Sequence, residues 1–327
     1  MTEKNIKKIA QNTLKFTFMM IFILVFIKIF GKQNTLIGVS AYVGLSTFPY
    51  CDTGLSRKSN NLIIPILYLS APLIAYLNSY NYILSIPLNF IYIYILMLLS
   101  IEPSIFRLNV IYMLPFLFCE SVPVNSEELP IRILATFVSV VIILIYSNFK
   151  WNKLEINNTD KSIKYQIYSG LIHKRLIFRM SIGISIALFV TSLFKSEKPL
   201  WISLVVMSLT QIETDDMFIR IKQRTIGTIL GTVFVAIVFG YLIPQKYQII
   251  IVMLFGYLGF FYNDYSHKQF FNFVSSISAS LIVFNQNTAM LNRFISLCIG
   301  ISIVLILYFI EKNIFNKFHN SEQIRGS

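Results

Sequence analysis

Residues 130–149 read PIRILATFVSVVIILIYSNF, twenty residues with one charged side chain, Arg132. A helix rises about 1.5 Å per residue, so about twenty such residues cross the roughly 30 Å hydrocarbon core of a bilayer. A helix of this length on a soluble domain carries a charged stripe toward water; here no charge follows Arg132 until Lys150. The stretch predicts a membrane span.

The pattern recurs on both sides. Apolar runs lie at 14–31, 35–50, 61–78, 82–100 and 104–119 before it, and at 175–194, 199–213, 225–243, 246–262, 270–285 and 291–311 after it. They predict an all-α integral membrane protein of about twelve transmembrane helices. The second, fifth, eighth and eleventh runs are short, and are read as tilting little, crossing in part or lying among other helices. The composition agrees. Of 327 residues, 55% are apolar and 13% are charged, with a mean hydropathy of +0.66, against about 25% charged residues in an average soluble domain.

A net charge of +13 raises the question of nucleic acid, and the placement of the charge answers it. With the N-terminus in the cytoplasm, 21 of the 28 Lys and Arg fall on cytoplasmic loops and ends. This is the positive-inside bias, with both termini inside and an even number of spans; no nucleic-acid partner is expected. The basic start MTEKNIKKIAQNTLK leads into an apolar stretch ending in GKQN, without a small-residue cleavage site. It reads as an uncleaved first span. Cys51, Cys119 and Cys298, and His173, His267 and His319, are scattered, so neither a metal site nor a disulfide framework is expected. No HExxH, GxSxG, P-loop or paired Asp-rich motif is present. The chain is expected to be neither an enzyme nor a cofactor protein.

Residues 150–174, KWNKLEINNTDKSIKYQIYSGLIHK, form the long polar stretch near the middle. They divide the chain into a membrane repeat at 1–149, a cytoplasmic linker at 150–174, a second membrane repeat at 175–313 and a cytoplasmic tail at 314–327. Shifting the first half by 165 residues superposes the order of runs and breaks, with Ile37 on Ile202, Ala71 on Ala236 and Phe90 on Phe255 among the identities. Six spans per half give the halves the same orientation, related by a pseudo-two-fold axis along the membrane normal.

The most informative stretch is KPLWISLVVMSLTQIETDDMFIRIKQRTIGTILG, residues 198–231. A Pro-x-Trp opens a short span. An acidic and basic cytoplasmic turn follows, and then Gln-Arg-x-x-Gly-Thr-x-x-Gly opens the next span. With Pro199, Trp201, Arg220, Gln223, Arg224, Gly227, Thr228 and Gly231, it resembles the fusaric acid resistance protein-like family of inner-membrane proteins, which includes aromatic acid exporters. Plant aluminium-activated malate transporters carry a related arrangement. In the first half Leu36 stands for the Trp, Ser59 for the second Arg, and Leu62 and Ile66 for the two Gly. The resemblance therefore implies halves that are not functionally equivalent. The length resembles a shorter branch, without the large soluble domain, that is often paired with periplasmic adaptor proteins.

The residues also have physical readings of their own. Gly227 and Gly231 make a GxxxG face for close helix packing. Trp201 is read as an interfacial anchor or as a pore-lining aromatic. Arg220, Lys222 and Arg224, with Arg57 and Lys58 as first-half counterparts, serve orientation and lipid headgroups, or else form a mouth that gathers anions. Glu213, Asp215 and Asp216 are either ion-paired to Arg220 and Arg224 or include a proton-carrying group. Arg132 and Arg293, each near the outer end of the last span of its half, either snorkel or act as a pair.

The resemblance implies a transporter of the bacterial inner membrane, with proton-driven efflux of organic, including aromatic, anions. The alternatives are a passive anion channel and a non-transporting membrane scaffold. The partners it implies are the lipid bilayer, an organic anion, a periplasmic adaptor and further copies of the chain.

Overall fold

Each of these runs falls on a helix of the computed structural model, which describes residues 3–193, 200–210, 214–244, 247–262, 265–281 and 286–325. In chain order the helices are α1 (Glu3–Phe30), α2 (Thr35–Thr47), α3 (Arg57–Asn78), α4 (Ser85–Ser100), α5 (Leu108–Ser121), α6 (Leu129–Leu154) and α7 (Ile163–Leu171). They continue with α8 (Lys174–Leu193), α9 (Leu200–Leu209), α10 (Thr214–Ile237), α11 (Gln248–Leu258), α12 (Tyr265–Leu281) and α13 (Gln286–Arg325). No named strand occurs among the described residues; Ser56 and Asn158 form an isolated bridge.

Among the described residues, six segments are long and apolar enough to cross a membrane: Ile6–Phe30, Arg57–Asn78, Leu129–Leu154, Lys174–Leu193, Asp216–Leu242 and Met290–Asn313. The chain is an all-α, multi-pass membrane protein. α4, α5 and α9 are apolar but short. At ten residues α9 rises about 15 Å, half a hydrocarbon core. α11 is also short, although the run at 246–262 predicts a full span.

Several helices overrun their apolar runs. α10 starts at Thr214, so residues 214–224 are helical where a turn is expected. Neither Gly nor Pro interrupts them, and Asp216 in the first turn suits the positive end of a helix dipole. α6 continues past Phe149 to Leu154 and stops where Glu155 turns left-handed at φ 55°.

The chain packs as two compact units, one of residues 1–21 and 211–302, the other of 22–210 and 303–327. In the larger unit, α3 packs on α4, α5 and α6, α2 on α5 and α6, and α8 on α4 and α9. Its centre is aromatic: Phe48, Tyr68 and Tyr112 cluster with ring centroids 4.8–6.2 Å apart.

The pole of this unit that holds the linker is locked by polar groups. Trp151, fully buried, donates its indole N–H to Phe48 O at 2.9 Å. Asn157 adopts φ 57°, a left-handed conformation that Asn tolerates. Its Oδ1 accepts from Thr53 N and Thr53 Oγ1, both at 2.7 Å, and its Nδ2 donates to Cys51 O at 3.0 Å. The turn before α3 is thereby tied to the segment after α6.

The other pole depends on Arg132, which is 2% exposed. Its Nε donates to Asn34 Oδ1 at 3.1 Å and its Nη2 to Gln33 O at 2.8 Å. Its Nη1 reaches Cys119 O and Val122 O. The last carbonyls of a helix have no partner within it, and the guanidinium fork supplies one to α5 and to the α1–α2 turn together. A Lys ammonium has no such fork.

In the smaller unit, α12 packs against α10 and α11. Val235, Phe239, Phe273 and Val274 form the core, with Phe234, Phe255 and Phe270 against it. The helices meet at the two glycines. A Cβ added at Gly227 would lie 3.1 Å from Gln269 Cβ, and one at Gly231 would collide with the Phe273 ring.

Two outcomes follow for thermal unfolding of the full chain in detergent. Arg132→Met leaves the α5 and α1–α2 carbonyls without their donor and is expected to lower stability by at least about 2 kcal/mol, with Arg132→Lys in between; a melting point unchanged in both variants contradicts the capping role. Gly231→Val is expected to destabilise by about 1–3 kcal/mol through overpacking against Phe273, and Gly227→Ala by less. Equal effects at the two positions would show that the α10–α12 contact is not limited at Gly231.

Candidate functional site

The functional residues expected from the sequence concentrate on α10, and helical periodicity sorts them. Met217, Arg224, Gly227, Thr228, Gly231 and Val235 are buried; Met217, Arg224, Gly227, Gly231 and Val235 recur at intervals of three, four or seven along one inward face, with Thr228 beside Gly227. Asp216 and Lys222 are exposed and Arg220 is half-buried. Of the three cations in the cluster, Arg224 is therefore the one carried into the unit, at 9% exposure.

Arg293, near the start of α13, lies in the same unit. Its Nη2 donates to Ser276 Oγ on α12, and its guanidinium lies 5.9 Å from the centre of the Phe273 ring, within reach of a cation–π contact. Ser276 directs its own hydroxyl hydrogen to Phe273 O at 3.0 Å, leaving its lone pairs for Arg293. The positive charge of Arg224 acts on Arg293. Two like charges that act on one another in an apolar unit repel, and an anion bound near them relieves that repulsion.

The other expected residues fall elsewhere. Pro199 and Glu213 lie outside the described residues, as does the side chain of Asp215. Trp201 is buried in the larger unit at 6% exposure, on α9, which packs on α8 and α5. Thr228 is buried, and its carbonyl accepts from Thr232 Oγ1 at 2.8 Å. Lys58 is exposed. Arg57 acts as a cap for α6: it donates to Trp151 O at 3.1 Å, to Ile156 O at 3.4 Å and to Asn152 Oδ1. Arg132 and Arg293 belong to different units.

The structure adds groups that sequence reasoning did not single out. Arg179, 7% exposed, pairs with Glu311 at 3.2 Å inside the larger unit. At that unit's Arg132 pole, a cavity of about 290 Å³ is lined by Asn78, Asn89, Glu120 and Thr191, among others. Glu120 lies beyond the apolar run 104–119. It is partly exposed, yet burial pushes its carboxyl up to about 7 against the lowering effect of a hydrogen bond from Asn78. The signal was present: Asn78, Asn89 and Glu120 each sit in or beside an apolar run, and runs of alternating direction carry them to one pole.

Comparison with known proteins bears on the second half. The model of the fusaric acid resistance protein-like family matches residues 185–307. An uncharacterized protein of Haemophilus influenzae (strain ATCC 51907 / DSM 11121 / KW20 / Rd) is 29% identical over 151 residues, 44% of this chain. The matched stretch is 21% of that protein's length, so the chain spans about a fifth of the relative it matches. No solved structure matches. The region that carries Arg224, the two glycines and Arg293 is thus fusaric acid resistance protein-like, as residues 198–231 predict.

Proposed function

We propose that the chain is a proton-driven exporter of organic anions, aromatic carboxylates among them, in the bacterial inner membrane. What supports this reading is that Arg224 and Arg293 lie in one apolar unit, where the charge of the first acts on the second. Fixed positive charge in a low-dielectric setting concentrates anions and binds carboxylates through the planar guanidinium fork. Phe273 beside Arg293 offers an aromatic face to an aromatic acid. Arg220 and Lys222, on the exposed side of the same helix, gather anions from the cytoplasm.

In this reading the chain crosses the membrane about twelve times as two six-helix halves of the same orientation, with both ends in the cytoplasm. The short helices complete the crossing within the packed protein. The halves differ in role, because the second alone carries the Arg224–Arg293 pair. A periplasmic adaptor extends the path outward.

The test is export of benzoate from cells lacking other exporters. Arg220→Gln combined with Arg224→Gln is expected to lower efflux at least about tenfold at equal membrane level, and Arg293→Gln to do so alone. Unchanged efflux in both variants would refute the anion-handling role. A large conductance in planar bilayers, indifferent to a pH gradient, would assign the same arginines to a passive channel.

A further inference from the structure

The aliphatic hydroxyls around the cavity beside Glu120 in the larger unit are turned to backbone carbonyls, and its described lining residues include no cation. The hydroxyls of Ser79, Ser85, Thr191 and Ser192 line it. Each gives its one hydrogen to a backbone carbonyl, respectively Tyr76 O, Tyr82 O, Ala187 O and Phe189 O, all at 2.7 Å. They offer the cavity lone pairs only. The Asn78 amide nitrogen donates to Asn89 Oδ1 at 2.6 Å and to Glu120 Oε1, which commits both of its hydrogens. The buried Oδ1 of the same Asn78 has no hydrogen-bond partner.

The charged and titratable neighbours bring no positive charge to the lining. Among the described lining residues there is no Lys, Arg or His. On α6, Arg132 directs its fork to Cys119 O, Val122 O, Gln33 O and Asn34 Oδ1. On α5 the titratable neighbour is the buried thiol of Cys119. Between α3 and α4 stand Tyr80, whose hydroxyl pairs with that of Tyr76, and Tyr82. α4 and α8 bring no ionisable group to the lining. The Glu120 carboxylate accepts from Asn78 Nδ2 and has no cation in the described lining to balance its charge, in surroundings that favour the uncharged form.

We propose that Glu120 is a proton-binding group, and that in the exporter it carries the coupling proton. A carboxylate oxygen takes H+ from water reaching the cavity, forming an O–H bond that removes the uncompensated negative charge. The same bond breaks when the proton returns to water, and no electrons change hands. The coupling role rests on the transport reading above; proton binding does not.

Infrared difference spectra of the full chain in lipid nanodiscs, taken from about pH 4 to about pH 9, test the binding. A protonated-carboxyl band is expected to disappear with a midpoint near the carboxyl's value of about 7. It should be absent in Glu120→Gln and retained at a shifted frequency in Glu120→Asp. Asn78→Ala removes a donor to the charged form and should raise the midpoint by about one pH unit. The Asp and Ala variants keep the test alive if Glu120→Gln fails to fold. A midpoint in the ordinary carboxylate range of about 4.3, a band that survives Glu120→Gln, or a midpoint that follows sodium at fixed pH would overturn the proposal, the last marking a metal-cation site instead.

The coupling is read separately in proteoliposomes with benzoate and an imposed pH gradient. Glu120→Gln is expected to lose gradient-driven flux but to keep movement down benzoate's own gradient. Gradient-driven flux equal to wild type would remove the coupling role. No flux by the wild type would be a failure of the transport reading, with the infrared titration still deciding proton binding.

Discussion

A helix that ends inside a membrane protein presents carbonyls to surroundings that hold little water, and each must be met by the protein itself. In the larger unit one buried guanidinium does this for two chain segments. Arg132 joins the C-terminal end of α5 to the turn between α1 and α2, so α5 can stop after fourteen residues and the chain can return as α6. Glu120 lies on the turn of α5 that Arg132 caps. The opposite pole follows the same logic, with Arg57 on the carbonyls at the end of α6 and Trp151 on Phe48 O. Arg132 and Arg57, at the two poles, satisfy backbone.

The smaller unit uses its cations differently. Arg224 shares a buried face with Gly227 and Gly231, and those glycines bring α12, with Ser276 and Phe273, close to α10. Close packing and the placement of Arg293 are therefore one arrangement. Glycine spacing that lets two helices approach also sets where the charge from α13 finds its hydroxyl partner.

Much of this was legible because membrane helices follow simple rules. Twenty residues with one charge predict a span, and GxxxG predicts a close approach. The family-like stretch at 198–231 falls within the region that the family model matches. What was not legible depended on residues distant in sequence. Glu120 reads as an acid in an external turn until Asn78, Asn89 and Thr191, on three other helices, are seen around the same cavity. Arg57 reads as part of a basic mouth until the α6 carbonyls are seen beside it. Residues 214–224 read as a turn because charge clusters mark loop ends, but charge does not stop a helix that lacks Gly and Pro.

The sequence by itself determined the class: an all-α membrane protein. That information is local, because crossing a bilayer depends on the length and hydropathy of one segment at a time. The tertiary structure decided which charges work as caps, which share a unit and which acid lines a cavity. Those roles depend on the hydrogen-bond partners and charges nearby in space, and helices close in space are supplied by segments as much as a hundred residues apart, as Arg132 and Gln33 are.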